Sequence, residues 1–363
     1  MPELGVLLTP RESGGHEQAL FGWLGDAVRE EGLRLALFTP TQALRDEARG
    51  AGLRPMPFAW PSSAGACRAA ALRLLYRWPA DRPLLLAPGV LHAAAWLLAA
   101  ALALRRRVWV YVPTAFTAAR MGYRGAAWRD AALTPWLQGV ERWITIDEVH
   151  AATLRQTWHI DAPIHCLPNV VRLPALAAPL PDGPTAVGTR VAYVGRFEPH
   201  AKGLDWLAAT LRRRPPWALP FHFRFQGRGP GEWLLRELAS ALGPQQVALH
   251  PHAPIDEALN ASDVLLLTSR YEGVPLVALE ATQRGRPVVA TLESGLARLL
   301  PASSVFGFGD ERGLRRALES LRDPSARKRA AAHARERQGV LWPAERYGEA
   351  RREIVQALRG AAP

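Results

Sequence analysis

The sequence predicts an α/β protein made of two doubly wound, Rossmann-like domains in tandem. Three observations carry that expectation. Short apolar runs alternate with helical stretches through almost the whole chain, a proline-rich break interrupts the alternation once near the middle, and the alternation then restarts. With 363 residues, 48% hydrophobic and 21% charged, the chain is long and apolar enough to fill two ordinary cores.

In the first half, residues 5–8, 33–39, 84–87, 108–112 and 144–146 read as strands, because strands buried on both faces of a parallel sheet are short continuous apolar runs. Helical patterns over 17–30, 91–104 and 149–158 separate them. The most apolar stretch, 93–104, runs for twelve residues and stops at Arg105-Arg106-Arg107. A bilayer span needs about twenty residues, so this segment is expected to be a buried helix. Residues 173–189 include four prolines and show no period, as a linker does. Beyond it, strands are expected at 190–194, 221–226, 247–249, 264–268 and 287–291, with helices over 203–213, 232–242 and 276–284. The expected division is therefore 1–172, a linker 173–189, and 190–342. The alanine- and arginine-rich segment 326–337 reads as a biased tail.

The formal charge is +12, and lysine contributes only Lys202 and Lys328 to the 45 basic residues. Such a surplus predicts an anionic partner: nucleic acid, an acidic membrane face or a phosphorylated ligand. Cys67 and Cys166 are too few for a metal cluster and stand far apart, so buried thiols rather than a disulfide are expected, which fits a reducing compartment. The N-terminus has no basic flank and a short apolar run, unlike a signal peptide, so a cytoplasmic protein is expected.

Two segments concentrate chemistry. The run 269–281 follows an expected strand and opens a helix, with Glu272 in the loop and Glu280 two turns on. A helix start with free N–H groups seats an anion. Carboxylates there repel phosphate, so they are expected to face hydroxyls. The run 191–205 ends a strand in Gly195-Arg196 and reaches a helix through Lys202-Gly203. Guanidinium grips phosphate bidentately, and lysine adds a point charge.

Together these residues resemble glycosyltransferase family 4, whose members are retaining nucleotide-sugar enzymes of the GT-B fold. Gly195-Arg196 and Lys202-Gly203 are similar to its phosphate grip, and Glu272 with Glu280 to its Glu-x7-Glu element. Gln226-Gly227-Arg228-Gly229-Pro230 and Gly285-Arg286-Pro287-Val288-Val289-Ala290 add two further matches in order. The match is weaker in the first half: Gly14-Gly15-His16-Glu17 looks like the family's glycine loop, and Leu167-Pro168-Asn169-Val170 like its segment before the linker. Leu341-Trp342-Pro343 is similar to the stretch that returns to the N-terminal domain, which assigns helix 343–363 to it.

The resemblance implies two domains facing a central cleft, the first on the acceptor side and the second binding the donor. It places Gly14, Gly15, Gly195, Arg196, Lys202, Gly273, Val274, Pro275 and Leu276 around the donor. Glu280 is implied on the ribose, Glu272 on the donor sugar, and Leu249 and His250 against the base. Glu272, Arg196 and Lys202 are the implied catalytic set. Many members also carry a histidine after the strand that matches 108–112, where this chain reads Tyr111-Val112-Pro113. His16 and His92 are the candidate replacements.

Other signals are weaker. Gly227-Arg228-Gly229-Pro230-Gly231 lacks dinucleotide spacing, no Asp-x-Asp occurs, and His250 and His252 have no third ligand nearby. No metal and no cofactor beyond the nucleoside diphosphate sugar are therefore expected. The expected activity is retaining hexosyl transfer to a glycan or lipid-linked acceptor in bacterial polysaccharide or glycolipid synthesis. A GT-B sugar-nucleotide epimerase is the alternative with the same grip. A basic nucleic-acid-binding protein is the alternative from another class, although no reading motif is present and nucleic acid is not an expected partner. Nine of the thirteen tryptophans precede residue 172, and Arg73, Arg77, Arg120, Arg124 and Arg129 interleave Trp78, Tyr123, Trp128 and Trp136. That mixture suits the anionic inner face of a membrane, a stacked glycan, or core tryptophans beside solvated arginines.

Overall fold

The structure, a computed structural model, describes residues 2–57, 64–171 and 188–360, apart from the side chains of 64, 65 and 94. The expected linker falls almost wholly outside the described residues, and Thr189 already begins a strand. The chain divides into two compact units: Met1–Asn169 with Ala344–Pro363, and Val170–Pro343.

Unit 1 runs β1 (Leu4–Leu8), α1 (Gly15–Glu30), β2 (Leu35–Phe38), α2 (Gln42–Gly50), α3 (Ala64–Arg77) and β3 (Leu84–Ala87). It continues with α4 (Ala95–Ala103), β4 (Val108–Tyr111), α5 (Ala126–Leu137), β5 (Arg142–Thr145), α6 (Glu148–Thr157) and β6 (Ile164–Cys166). The strands form one parallel sheet in the order β2-β1-β3-β4-β5-β6. All residues of β1, β3 and β4 are buried, which explains their unbroken apolar sequence. Leu74, Leu97, Leu133 and Leu154, from four helices, meet Leu84, Val110 and Trp143 in one core cluster. Trp78 and Trp143 belong to that core, whereas Trp128 and Trp136 are exposed.

Unit 2 runs β7 (Thr189–Arg196), α7 (Leu204–Arg212), β8 (Phe221–Arg228), α8 (Glu232–Leu242), β9 (Val247–His250), α9 (Ile255–Asn260) and β10 (Val264–Leu267). Then follow α10 (Leu276–Gln283), β11 (Val288–Thr291), β12 (Val305–Phe306), α11 (Glu311–Ser320) and α12 (Pro324–Leu341). Its sheet is also parallel, ordered β12-β11-β10-β7-β8-β9. The order reverses between β7 and β10, and ligand sites of such sheets lie beyond the strand ends at that reversal.

The last helix, α13 (Ala344–Gly360), packs on α1. Arg351 reaches Glu31 at 2.8 Å and Asp26 at 3.5 Å and also pairs with Glu30, while the Tyr347 hydroxyl donates to Asp26 at 2.6 Å. The segment taken for a biased tail is part of α12. Asp323 caps it by accepting from the N–H groups of Ser325 and Ala326, and alanine with arginine then sustains it. Cys67 and Cys166 form no disulfide, and both are half-buried rather than fully enclosed. Among the described residues, no helix is long and apolar enough to cross a membrane.

Candidate functional site

The site begins where β7 and β8 end side by side, with Gly195 opposite Gly227 and Arg196 opposite Arg228. A Cβ on Gly227 would stand 1.9 Å from the Gly195 carbonyl oxygen, at φ +154, so only glycine permits this approach. Past β7 the chain folds into a loop in which the Lys202 N–H donates to the Glu198 carbonyl at 3.2 Å. The Thr268 hydroxyl, just after β10, donates to the Lys202 carbonyl at 2.9 Å. Gly203, at φ +65, lets the same two segments touch, because a Cβ there would lie 2.0 Å from the Thr268 carbonyl oxygen.

That staple carries Lys202 to the loop before α10. Its Nζ lies 2.7 Å from Oε1 of Glu272, and the Ser269 hydroxyl donates to the same carboxylate. The Glu272 N–H in turn donates to the Glu293 carbonyl at 3.1 Å. Arg270, in this same loop, serves the scaffold. It grips both oxygens of Asp205 at 2.8 Å, donates to the His200 carbonyl at 2.6 Å and lies over the Phe308 ring at 4.3 Å. The helix follows Pro275 with no side-chain cap; the Ala278 N–H donates to the Pro275 carbonyl at 3.1 Å, and the N–H groups of Leu276 and Val277 lie ahead of the first intrahelical bond. Gly195, Arg196, Lys202, Glu272, Gly273, Val274, Pro275 and Leu276 thus gather around the ends of β7 and β10. The Arg196 side chain is exposed, and Tyr193 beneath it donates to the Arg196 carbonyl at 2.9 Å. Burial, then Glu272 and Glu198, keep that phenol protonated.

Glu280 stands farther along α10. Burial lifts its carboxyl to about 7; Arg284 opposes the shift and Asp256 adds to it. Arg284 is itself buried and bonded through Nε to Asp256. Leu249 and His250 end β9, two strands from β7. Burial and then Arg224 hold His250 below the usual histidine range. The buried Gln226 amide fixes the loop after β9 by donating to the carbonyls of Ala253 and Pro254 at 3.2 Å each. Among the described residues, no three His, Cys, Asp or Glu side chains are placed to hold a metal ion.

In unit 1, Gly14 caps α1 in extended geometry and Gly15 opens it. His16 stacks on Tyr111 with ring centroids 5.2 Å apart, so a histidine does lie against the end of β4, contributed from α1. His92 is engaged elsewhere: its Nε2 lies 2.7 Å from Asp130, which also accepts the Ala118 N–H at 2.8 Å. Sequence reading gave Ser269, Thr268 and Tyr193 no role and named Gln226 only within its glycine motif. Their signal was small: one polar group apiece, at or beside the carboxyl end of an apolar strand.

The family model described as "Glycosyl transferases group 1" matches residues 188–322, which contain the Lys202–Glu272 pair. Glycogen synthase of Mycobacterium tuberculosis is 30% identical over 275 residues, covering 69% of this chain and 64% of that protein. The chain therefore spans under two thirds of the curated relatives it matches over the greatest length. The D-inositol 3-phosphate glycosyltransferase of an Arthrobacter species is 37% identical over 117 residues, 30% of this chain and 27% of that protein. Among solved structures, HepE of Anabaena in complex with UDP and glucose superposes with a TM-score of 0.73 at 15% identity, over 98% of this chain and 99% of that one.

The chain carries a glycosyl transferases group 1 domain on a GT-B fold.

The matched residues 188–322 run from β7 through α11, so the charged loops at β7 and β10 lie inside the matched segment. The GT-B likeness extends over both units.

Proposed function

We propose that this GT-B protein is a retaining hexosyltransferase that takes its sugar from a nucleoside diphosphate donor. The observation that carries the reading is Lys202 seated on Glu272 at 2.7 Å, beside Arg196 and the uncapped start of α10. The arrangement offers positive charge to a diphosphate and a fixed carboxylate to a neighbouring hydroxyl. The structural neighbour HepE, in complex with UDP and glucose, supports that ligand class.

In this mechanism the diphosphate lies against Arg196, Lys202 and the first turn of α10. As the anomeric carbon–oxygen bond breaks, charge grows on the leaving phosphate, and these preorganised donors stabilise it. Glu272, held by Lys202 and Ser269, accepts from a hydroxyl of the donor sugar. Glu280 accepts from the ribose, and the base rests by Leu249 and His250. The acceptor hydroxyl attacks from the face the phosphate leaves, forming the new bond with retention, and gives its proton to a departing phosphate oxygen. Arg196 and Lys202 supply the countercharge, so no divalent ion is required. His16, stacked on Tyr111, is the candidate catalytic histidine of unit 1. That acceptor is a glycan or a lipid-linked sugar of polysaccharide or glycolipid synthesis, met in the cytoplasm or at the inner membrane face.

The test is product analysis by NMR with a panel of UDP-, GDP- and ADP-hexoses and glycan or lipid-linked acceptors. Transfer with the anomeric configuration of the donor kept is the expected result. Inverted product, or epimerised donor without an acceptor, contradicts the proposal.

A further inference from the structure

We propose that the outer face of α3, α4 and α5 in unit 1 is a docking surface for an anionic lipid bilayer. The three helices pack side by side, α3 on α4 and α4 on α5, and their inner residues share one core cluster. Their outer residues are unlike those of a solvated face. On α3, Arg68, Leu72 and Tyr76 recur every fourth residue, flanked by Arg73 and Arg77, all exposed. Tyr76 is 74% exposed and Trp128, on α5, 75%. Trp96 on α4 and Trp136 on α5 are exposed too, and the Arg68 guanidinium lies 5.8 Å over the Trp96 ring, joining α3 to α4.

Charge selects the partner. Residues 48–140 contain twelve arginines and two acids, Asp81 and Asp130, so this stretch carries most of the chain's +12. Asp130 is occupied by His92 and the Ala118 N–H. Arg124 and Arg129 are exposed beside Trp128. Arg49 pairs with Asp46 and Arg107 with Glu141, and the remaining arginine surplus, set beside amphipathic aromatic rings, fits the headgroup layer of an anionic membrane, where rings enter the interface and guanidinium groups meet phosphates. Each arginine near such a leaflet strengthens partition roughly fivefold, so a few suffice for reversible attachment. No insertion is involved.

The inference rests on unit 1 alone, so it fails or stands separately from the donor site. The experiment is co-sedimentation of the full chain with vesicles of phosphatidylcholine, with and without phosphatidylglycerol. Salt is raised to about 1 M, where screening shortens to about 3 Å. Binding only to the anionic vesicles at low salt is expected. Tyr76→Ser with Trp128→Ser, and separately Arg73→Gln with Arg77→Gln, should each cut it more than tenfold with unchanged melting temperature. Absence of binding, equal binding to neutral vesicles, or binding that neither double variant changes overturns the proposal. So does retention on duplex DNA without vesicle binding.

Discussion

At Lys202 one ammonium group serves two partners in turn. In the structure it neutralises Glu272, with the Lys202 side chain a quarter exposed and Glu272 buried. Under the proposed function, the same charge faces the phosphates of an arriving donor, with Ser269 left to hold the carboxylate. Lys202→Ala should therefore lower kcat/KM by about 2–4 kcal/mol, the range for removing a preorganised transition-state donor. Steady-state kinetics beside thermal melts checks this, and a loss of stability without a loss of turnover contradicts it. Glu280 makes a pH prediction of definite sign. The native carboxyl, at about 7, holds its proton more tightly than an unfolded glutamate at about 4.3. The native state binds more protons between those values, so unliganded stability falls as pH climbs from about 4.3 to about 7 and levels above. Nucleotide affinity should move oppositely, rising through about 7 as the carboxylate forms to accept ribose hydroxyls. Glu280→Gln should flatten both curves, measured by melting and by nucleotide titration across pH.

At the scale of elements, the loops matter more than the strands, and the sequence disclosed the two unequally. Parallel strands such as β3 and β10 are buried on both faces, so apolar runs marked them to within a residue. Helices without a clean apolar stripe were hidden. The chain enters α5 through a left-handed Gly125 and keeps Pro135 inside it; α12 is an alanine–arginine helix that looks like biased composition. Site residues that carry charge were legible, because glycine beside arginine, lysine or glutamate at a strand end has few structural explanations. The positioning hydroxyls of Thr268 and Ser269 were not, since one polar atom beside an apolar strand has many. Gly203 shows how these loops cooperate. Gly203→Ala adds a Cβ 2.0 Å from the Thr268 oxygen at φ +65, so the staple between Lys202 and β10 must open. A stability loss of about 1–3 kcal/mol is expected from the overpacking, with a larger fractional loss of nucleotide affinity. Urea unfolding and calorimetry measure the two, and unchanged affinity contradicts the staple.

At the scale of the molecule, the chain closes on its first unit through α13. Arg351 is nearly inaccessible and faces Asp26, Glu30 and Glu31 together. Removing the cation takes this partner from the largely buried Glu31, while Glu30 reaches solvent and Asp26 keeps the Tyr347 hydroxyl, so Arg351→Ala should cost about 1–3 kcal/mol. Chemical denaturation should show that loss, with the donor affinity of the folded protein unchanged. Arg196, Lys202 and the start of α10 are proposed as a diphosphate site that works without a metal ion. The most direct measurement is calorimetric titration of UDP, GDP and ADP into the full chain in excess EDTA, repeated with Arg196→Ala and Lys202→Ala. Binding of at least one nucleotide despite the chelator is expected, weakened by about tenfold or more, about 1.4 kcal/mol, in each variant. Binding that EDTA abolishes and magnesium or manganese restores, or that both variants leave unchanged, would contradict it.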